Sequence, residues 1–167
     1  MLLRPTEPED WDALFAVASD PQIWAKHPAW DRFKEPVFRA YFDDALASRG
    51  GLTVVDKASG RVIGASRYAA FPELDEVEIG WTFLSRDFWG GAVNRQMKRL
   101  MLAYALVAFP RVVFRVGENN VISCRAMEKI GGRLTDRTES IVRGGKPVVH
   151  VLYEIDRTGF TAGPLNT

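Results

Sequence analysis

The sequence predicts an α/β protein of the α+β type, with about seven strands and about four helices. A short apolar start is followed by two patterns with helical spacing, and then by three short runs with strand character. A strand, a turn and a helix then occur twice in succession, and two further strands complete the chain. A row of neighbouring strands with short turns favours an antiparallel meander within the sheet.

The predicted strands are short runs rich in Val, Ile, Thr and aromatic residues, bounded by residues that favour turns. Ser59-Gly60, Pro72 and Gly144-Gly145 mark three of these turns. The run from 112 to 116 is apolar on both faces apart from Arg115, which is typical of a buried strand. We expect strands at residues 2–3, 52–55, 62–68, 77–84, 112–116, 133–142 and 148–155.

The first two predicted helices have recognisable start and stop signals. Thr6 and Glu9 have the spacing of a capping box ahead of the first helix, and Asp20-Pro21 ends it. Pro36 suits the first turn of the second helix, and Gly50-Gly51 stops that helix. An aromatic loop connects the two.

The third predicted helix runs from residue 92 to residue 107, and the fourth runs from 122 to 130, where Gly131-Gly132 closes it. In the third helix, Lys98 falls outside the predicted apolar face. That face consists of Val93, Met97, Leu100, Met101 and Tyr104.

Length and composition narrow the class of protein. The 167 residues fit one domain, which we expect at residues 1–156, followed by a mobile tail at 157–167. The net charge of +1 is spread along the chain, so no nucleic-acid or membrane partner is expected. Cys124 is the one cysteine and His27 and His150 are the two histidines, which predicts no structural metal and a reducing, cytoplasmic location. The apolar start at residues 1–3 is too short for a signal peptide.

The most informative segment is residues 78–94, which predicts a strand, a glycine loop and a helix N-terminus. Helix N-termini present unpaired N–H groups and a partial positive charge, so such a loop favours phosphate oxygens. The sequence has neither the Gly-x-Gly-x-x-Gly pattern of a dinucleotide fold nor a P-loop. Neither kind of nucleotide site is therefore predicted, and the phosphorylated ligand of the loop is open at this point.

Three motifs in order resemble the GNAT superfamily of acyl-CoA-dependent N-acetyltransferases. They are Glu78-Ile79-Gly80-Trp81, the loop Trp89-Gly90-Gly91-Ala92, and Asn120-Val121-Ile122-Ser123 followed by Glu128-Lys129-Ile130-Gly131. The resemblance covers nearly the whole chain and is strongest for the Rim-like branch, which acetylates protein N-termini and assorted small amines. It implies the GNAT fold, with a mixed, mostly antiparallel sheet whose fourth and fifth strands splay into a cleft for acetyl-CoA.

The resemblance also implies cofactor-binding positions. Backbone N–H groups of Phe83 and Leu84 would contact the pantetheine arm and the acetyl carbonyl, and Asn120 and Ser123 would lie beside pantetheine and the sulfur. As an alternative, Asn120 and Ser123 are good helix caps. N–H groups of the loop and helix start would surround the pyrophosphate: Trp89, Gly90, Gly91, Ala92, Val93 and Asn94.

Two positions depart from the family pattern. Asp87 stands where a Gln or Arg is usual before the loop, and Arg86 beside it could compensate its charge. Met127 stands where many members have the tyrosine that protonates the departing thiolate. This substitution argues against tyrosine acid catalysis, and Ser123 is a second catalytic candidate. Cys124 is interpreted as a packed helix residue because direct transfer needs no covalent nucleophile.

Glu78 is the candidate general base, acting directly or through water, because the resemblance places it on the strand that lines the cleft. A solvated strand carboxylate is the alternative, and Glu73 and Glu76 could attract a cationic amine instead. Removing a proton at pH 7 costs about 4 kcal/mol for a lysine-type amine and about 1 kcal/mol for an N-terminal amine. A strong base is therefore essential for the first kind of acceptor alone.

The acceptor side is predicted to be aromatic. Trp24, Trp30, Tyr68 and Trp81 are the expected acceptor-binding residues, with His27, Phe33 and Phe71 nearby. Each of these aromatics could equally be core, and His27 a structural hydrogen-bonding residue. The acceptor itself remains open, because acceptor choice has no transferable motif.

These observations predict an N-acetyltransferase that moves an acetyl group from acetyl-CoA to a primary amine by direct attack in a ternary complex. We expect a monomer or homodimer with no metal. The alternative from another class is a non-catalytic acyl-CoA-binding or regulatory module of the same fold, and a longer acyl group is a third possibility.

Overall fold

The computed structural model describes residues 1–143 and 145–166. The described part contains six α-helices and a mostly antiparallel open sheet of seven strands in the order β1-β2-β3-β4-β5-β7-β6. The strands are β1 Leu2–Pro5, β2 Gly51–Val55, β3 Val62–Phe71, β4 Glu76–Leu84, β5 Arg111–Gly117, β6 Arg133–Arg143 and β7 Lys146–Asp156. The helices are α1 Trp11–Ala18, α2 Pro21–Trp24, α3 Glu35–Ser48, α4 Ala92–Ala108, α5 Val121–Lys129 and α6 Arg157–Ala162. The predicted fold class is confirmed.

The chain divides into two units, and strands β3 and β4 and helix α4 each contribute to both. The first unit comprises Met1–Ala69 and Gly80–Met97, and the second comprises Ala70–Ile79 and the residues from Lys98 onwards. The prediction of a single domain over residues 1–156 stays a prediction.

In the first unit, β1, β2 and β3 form an antiparallel set. Leu3 pairs with Val54, and Thr53 pairs with Ala65 on the next strand. One face carries α1, α2 and α3 over an aromatic core. The core consists of Leu14, Ala18, Trp24, Phe38, Tyr41, Phe42, Ala65 and Phe83.

The helix starts of the first unit differ from the predicted ones. A 3-10 turn at Pro8–Asp10 precedes α1, and the Glu7 N–H donates to Asp10 (2.9 Å), so the predicted cap at Thr6 and Glu9 is wrong. Asp20-Pro21 not only ends α1 but starts α2, because the Asp20 side chain accepts from the N–H of Gln22.

In the second unit, the start of β4 pairs in parallel with β5, from Glu76 opposite Arg111 to Glu78 opposite Val113. Strand β7 pairs antiparallel with β5 and β6. The β6–β7 pairing shifts between Leu134 and Thr138. The predicted turn between β6 and β7 is Gly144-Gly145. Gly145 has φ +76°, and Gly144 lies outside the described residues.

The C-terminal segment contains α6, which the sequence did not predict. The N–H of Gly159 binds the Asp156 side chain at the start of this helix, and Leu165 beyond it is buried. The mobility of residues 157–167 stays a prediction.

The buried side of α4 also differs from the predicted one. Lys98 is 4% exposed, whereas Tyr104 is 76% exposed and Leu100 is 43% exposed. Met97 and Met101 are buried as predicted. The helix therefore buries a cation that helical spacing alone had assigned to another face.

Candidate active site

The glycine loop follows β4 in the first unit. A 3-10 turn at Arg86–Phe88 precedes it, and the indole N–H of Trp89 donates back to the carbonyl of Leu84 at 2.9 Å. Gly90 has φ +70°, a left-handed conformation that favours glycine, and α4 then begins at Ala92. The predicted order of strand, loop and helix is confirmed.

The loop backbone faces open space. A Cβ added to Gly90 would meet no heavy atom within 4 Å, and one added to Gly91 would meet only the Phe88 carbonyl oxygen, at 3.9 Å. The first N–H groups of an α-helix have no partner within the helix. Room beside the backbone and the N–H groups at the start of α4 together fit a phosphate ligand.

Of the two charged residues before the loop, Arg86 pairs with a carboxylate other than Asp87. Arg86 donates from Nε to Asp20 Oδ2 at 2.6 Å, and Asp87 is exposed. Arg86 is thus engaged with a carboxylate from the start of α2 rather than with Asp87.

Within strand β4 the backbone is left-handed at Trp81, whose φ is +52°. A bulky residue in this conformation is a genuine outlier and costs about 1 to 3 kcal/mol. The Tyr41 hydroxyl donates to the Trp81 carbonyl at 2.8 Å, and the Arg67 guanidinium lies 4.6 Å from the Trp81 ring centroid. These two contacts hold the strained residue, and the sequence carries no signal for it.

Beyond Trp81, the backbones of β4 and β3 approach each other closely within the first unit. A Cβ on Gly64 would lie 2.1 Å from the Phe83 carbonyl oxygen, so only glycine permits this approach. The side chains of Phe83 and Leu84 are buried. Their side chains pack, as predicted for positions whose backbone is expected to contact the cosubstrate.

The predicted acceptor residues have different environments. Trp30 is 57% exposed, with the Lys34 ammonium 5.2 Å from its ring centroid. Tyr68 is half-buried and its N–H donates to the Gly50 carbonyl. Trp24 is 1% exposed and donates from its indole to the Ala18 carbonyl at 2.8 Å. The Trp24 ring is part of the core, and the expectation that it contacts an acceptor stays a prediction.

Residues near Trp24 also make structural contacts in the loop between α2 and α3. His27 accepts the N–H of Ala29 on Nδ1 at 2.9 Å, as predicted for a structural hydrogen-bonding residue. The Arg32 guanidinium lies 4.9 Å from the Tyr41 ring centroid and 5.3 Å from that of Trp24. Cation–π contacts of this kind stabilise the loop.

Glu78 lies in a buried charged cluster of the second unit. It is 6% exposed and forms an ion pair with Nη1 of Arg115, whose Nε donates to Glu139 at 2.9 Å. The Phe71 ring centroid is 4.8 Å from the Arg115 guanidinium carbon. The alternative that Glu78 is a solvated strand carboxylate is wrong.

Lys98 of α4 is a second buried charged residue of this unit, and its burial was not predicted. Its Nζ is 5.4 Å from the Phe114 ring centroid. Burial lowers the pKa of Lys98 to about 7, and the charge of Glu78 opposes this shift. Such strongly shifted groups are concentrated at functional sites.

Glu76 has a structural role instead of attracting an amine. It is fully buried, and both of its oxygens accept from Arg137 at 2.8 and 2.9 Å, with Arg111 Nε 3.4 Å away. Hydrogen bonding from Arg137 lowers the pKa of Glu76 in spite of burial. A cavity of about 570 Å³ adjoins this pair, but neither Glu78 nor Ser123 lines it.

Asn120 caps α5, which confirms the alternative given for this residue. Its Oδ1 accepts the N–H of Ser123 at 3.2 Å, and its carbonyl accepts the N–H of Cys124. The cap uses the carbonyl oxygen of the side chain and not its amide nitrogen. Ser123 is half-buried in the first turn of the helix, and Met127 is buried.

A tyrosine from β7 lies against α5, although none lies within this helix. Tyr153 is 3% exposed, and its hydroxyl is 3.4 Å from Glu128 Oε1. Burial raises the pKa of Tyr153 to about 12, and a hydrogen bond with Cys124 adds to the shift. Half-buried Cys124 thus packs against a protonated phenol, as expected for a structural residue.

Over residues 1–143 and 145–166, no helix is long and apolar enough to cross a membrane. The same residues contain no group of three or more His, Cys, Asp or Glu side chains arranged to hold a metal ion.

The strand order and the glycine loop before α4 define a GNAT-type fold. The sequence comparison gives the family: residues 1–133 match the Acetyltransferase (GNAT) domain, and the chain belongs to this family. Membership implies acyl transfer from acetyl-CoA. No match was found among the curated proteins.

Solved structures with this fold include three acetyltransferases. A GCN5-related N-acetyltransferase from Brucella melitensis is 23% identical with a TM-score of 0.80, covering 96% of this chain and 77% of that one. A GNAT-family acetyltransferase from Bacillus anthracis is 20% identical with a TM-score of 0.75, covering 93% of each chain. A ribosomal-protein-alanine N-acetyltransferase from Brucella melitensis is 15% identical with a TM-score of 0.68, covering 93% of this chain and 99% of that one. At these identities the likeness concerns the fold alone.

Proposed function

We propose that the protein is an acetyl-CoA-dependent N-acetyltransferase that acetylates a primary amine on a small molecule or a protein N-terminus. The observation that carries the proposal is the glycine loop, with left-handed Gly90 directly before the 17-residue helix α4, in a chain of the GNAT family. The acetyl group passes by direct attack of the amine on the thioester. The reaction takes place in the cytoplasm.

The pyrophosphate of acetyl-CoA binds at the glycine loop. Open space beside Gly90 and Gly91 lets phosphate oxygens approach the backbone, and the helix N-terminus favours their charge. N–H groups from Trp89 to Asn94 are the proposed donors. Exposed Asp87 repels the pyrophosphate, but the N–H groups and the helix dipole attract it more strongly than this single charge repels it.

Asn120 and Ser123 hold the thiol end of the cosubstrate. The Asn120 cap leaves its amide nitrogen for a ligand, so the capping and ligand roles coexist. The Ser123 hydroxyl protonates the departing thiolate, a role that buried Met127 cannot perform. Backbone N–H groups of Phe83 and Leu84 contact pantetheine.

Glu78 accepts the proton of the acceptor ammonium, directly or through water. Its position on β4 supports this role, and the ion pair with Arg115 fixes its orientation. Trp30, Tyr68 and Trp81 contact the acceptor, while Trp24 supports them from the core.

The second candidate is a non-catalytic acyl-CoA-binding module. Asp87 before the loop and Met127 in α5 favour it, since both depart from the pattern of catalytic family members. This candidate needs the same loop and no proton acceptor.

Release of free thiol from acetyl-CoA, measured with a panel of primary amines and N-terminal peptides, separates the two. An enzyme releases thiol in proportion to acceptor over many turnovers. Gly91→Glu should weaken CoA binding through repulsion, while Gly91→Ala is the matched control because the space at this Cβ is open. Tight CoA binding without acceptor-dependent thiol release identifies the binding module, and unchanged CoA affinity in Gly91→Glu refutes the pyrophosphate site.

A further inference from the structure

Arg67 of β3 is a buried cation of the first unit that lies against Trp81. It is 3% exposed, and its Nε has no hydrogen-bond partner among the described residues. A buried charge and an unsatisfied donor both lower stability unless neighbouring groups compensate them. A Leu or Met would cover the sheet here without this cost. The burial of an arginine at this position therefore indicates a role beyond packing.

The guanidinium of Arg67 connects helix α3 with Trp81. Its Nη1 forms an ion pair with Asp44, and its Nη2 donates to the Tyr41 carbonyl at 3.0 Å. Its central carbon lies 4.6 Å from the Trp81 ring centroid and 5.4 Å from the Tyr41 ring centroid. These distances are typical of cation–π contacts, which become stronger when they are removed from water.

Tyr41 closes these contacts into a triangle of Arg67, Tyr41 and Trp81. Its carbonyl accepts from Arg67, and its hydroxyl donates to the Trp81 carbonyl at 2.8 Å. Trp81 is therefore held at two places, at its ring by Arg67 and at its backbone by Tyr41. Tyr41 and Asp44 are three residues apart on α3 and share one face of it, so a single turn of this helix supports the triangle.

The triangle maintains a backbone conformation that is unfavourable for a tryptophan. A bulky residue with φ +52° is strained, and such strain persists only where the surrounding contacts overdetermine the conformation. Without these contacts, the backbone at Trp81 would relax toward the extended conformation. The indole would then move, because the Cα–Cβ bond turns with the backbone.

Trp81 is a residue of the proposed acceptor site, and its side chain is half-buried. One part of its ring lies against Arg67, which leaves the rest of the indole for an acceptor. Strained residues are concentrated at binding and catalytic sites, where the strain contributes to preorganisation. A side chain that is ordered before the acceptor arrives saves the entropy of ordering it on binding.

We propose that Arg67 is a positioning residue for the amine acceptor: together with the Tyr41 hydroxyl, it holds Trp81 in the left-handed conformation in which the indole contacts the acceptor. The inference rests on the proposed function. Arg67 touches neither the acceptor nor the reacting atoms, so its contribution is to acceptor binding. A lysine does not replace it, because an ammonium lacks the planar fork that donates to two acceptors while its face covers a ring.

The first experiment separates acceptor binding from the chemical step. We would measure kcat and the KM for one accepted amine, and the KM for acetyl-CoA, in the parent and in Arg67→Met. The amine KM should rise about fivefold or more, since the relaxed backbone then competes with the held one. The kcat should change by less than about twofold and the acetyl-CoA KM should stay constant, as expected when a uniform binding contact is lost. Arg61→Met, which removes an exposed arginine just before β3, is the matched control and should reproduce the parent values.

Three further variants test whether Arg67 acts through Trp81. Tyr41→Phe removes the hydroxyl and keeps the ring, so it should raise the amine KM in the same way, and it decides the question if Arg67→Met does not fold. Arg67→Lys should not restore the parent amine KM. Trp81→Gly adopts the left-handed backbone freely but lacks the indole, so adding Arg67→Met to it should not raise the amine KM further.

Each contrary result has a distinct meaning. A parent-like amine KM in Arg67→Met or in Tyr41→Phe overturns the inference while the enzyme assignment stands. An equal rise in the KM for amine and for acetyl-CoA overturns it as well, because Arg67 would then support β4 as a whole. A further rise when Arg67→Met is added to Trp81→Gly overturns it, because Arg67 would act by another route. If the parent enzyme acetylates no amine, the proposed function fails and the inference fails with it.

Discussion

Lys98 should make the stability of the protein increase with pH above neutrality. The unfolded chain holds a proton on this lysine up to its ordinary pKa of 10.5, whereas the folded protein releases it near pH 7. Between these values the unfolded state binds more protons, so the free energy of unfolding rises with pH, by up to about 1.4 kcal/mol per pH unit. Below pH 7 both states hold the proton, and the dependence vanishes.

The expected size from pH 7 to pH 9 is about 2 kcal/mol, because the lysine is half-deprotonated at the lower limit and fully so at the upper one. The assay is urea unfolding of the parent and of Lys98→Met at pH 7, 8 and 9. The difference in unfolding free energy, parent minus variant, should increase by this amount. Lys57→Met, which removes an exposed lysine in the turn after β2, is the control, and its difference from the parent should stay constant.

A constant difference between the parent and Lys98→Met over this range would refute the reasoning. Burial would then not have lowered the pKa of Lys98. Tyr41 and Tyr153 do not complicate the measurement, since burial raises the pKa of each to about 12, well above pH 9.

Three further predictions concern other parts of the chain. Glu76→Gln should lower the free energy of unfolding by about 1 kcal/mol, because the fully buried side chain loses the charge that binds Arg137, whose own side chain is partly exposed to solvent; urea unfolding with an unchanged midpoint would contradict this. Gly90→Ala should cost about 1 kcal/mol through its left-handed backbone, and Gly91→Ala less than about 0.5 kcal/mol; equal melting temperatures would show that the loop adopts another conformation. Glu78→Gln should lower kcat/KM mainly for amines of high pKa, and equal losses for lysine-type and N-terminal amines would remove Glu78 as the base.

Local sequence signals sufficed for most elements of the fold. The glycine loop and α4 are recognisable because a left-handed turn and a long apolar period both depend on neighbouring residues. Helices α2 and α6 have 4 and 6 residues, which is too short for a helical period to emerge. Their starts are nevertheless marked by Asp20 and Asp156, whose side chains cap them.

The charged site was less predictable because its partners are distant in sequence. Glu76 meets Arg137, which is 61 positions away, and Glu78 meets Arg115, which is 37 positions away. Spacing along one helix likewise placed Lys98 off the apolar face, since hydrophobicity patterns treat a lysine as exposed. The folded sheet, and not spacing along the chain, buries these carboxylates and brings cations to them from β5 and β6.

The proposed acetyl transfer is tested most directly by amine-dependent turnover of acetyl-CoA. Thiol release and acetylated product should be measured together with the parent enzyme, a panel of primary amines and N-terminal peptides, and enzyme far below substrate. The proposed enzyme should complete many turnovers with at least one amine, and one acetylated amine should form for each thiol released. Saturable CoA binding with thiol release that no amine accelerates would contradict it.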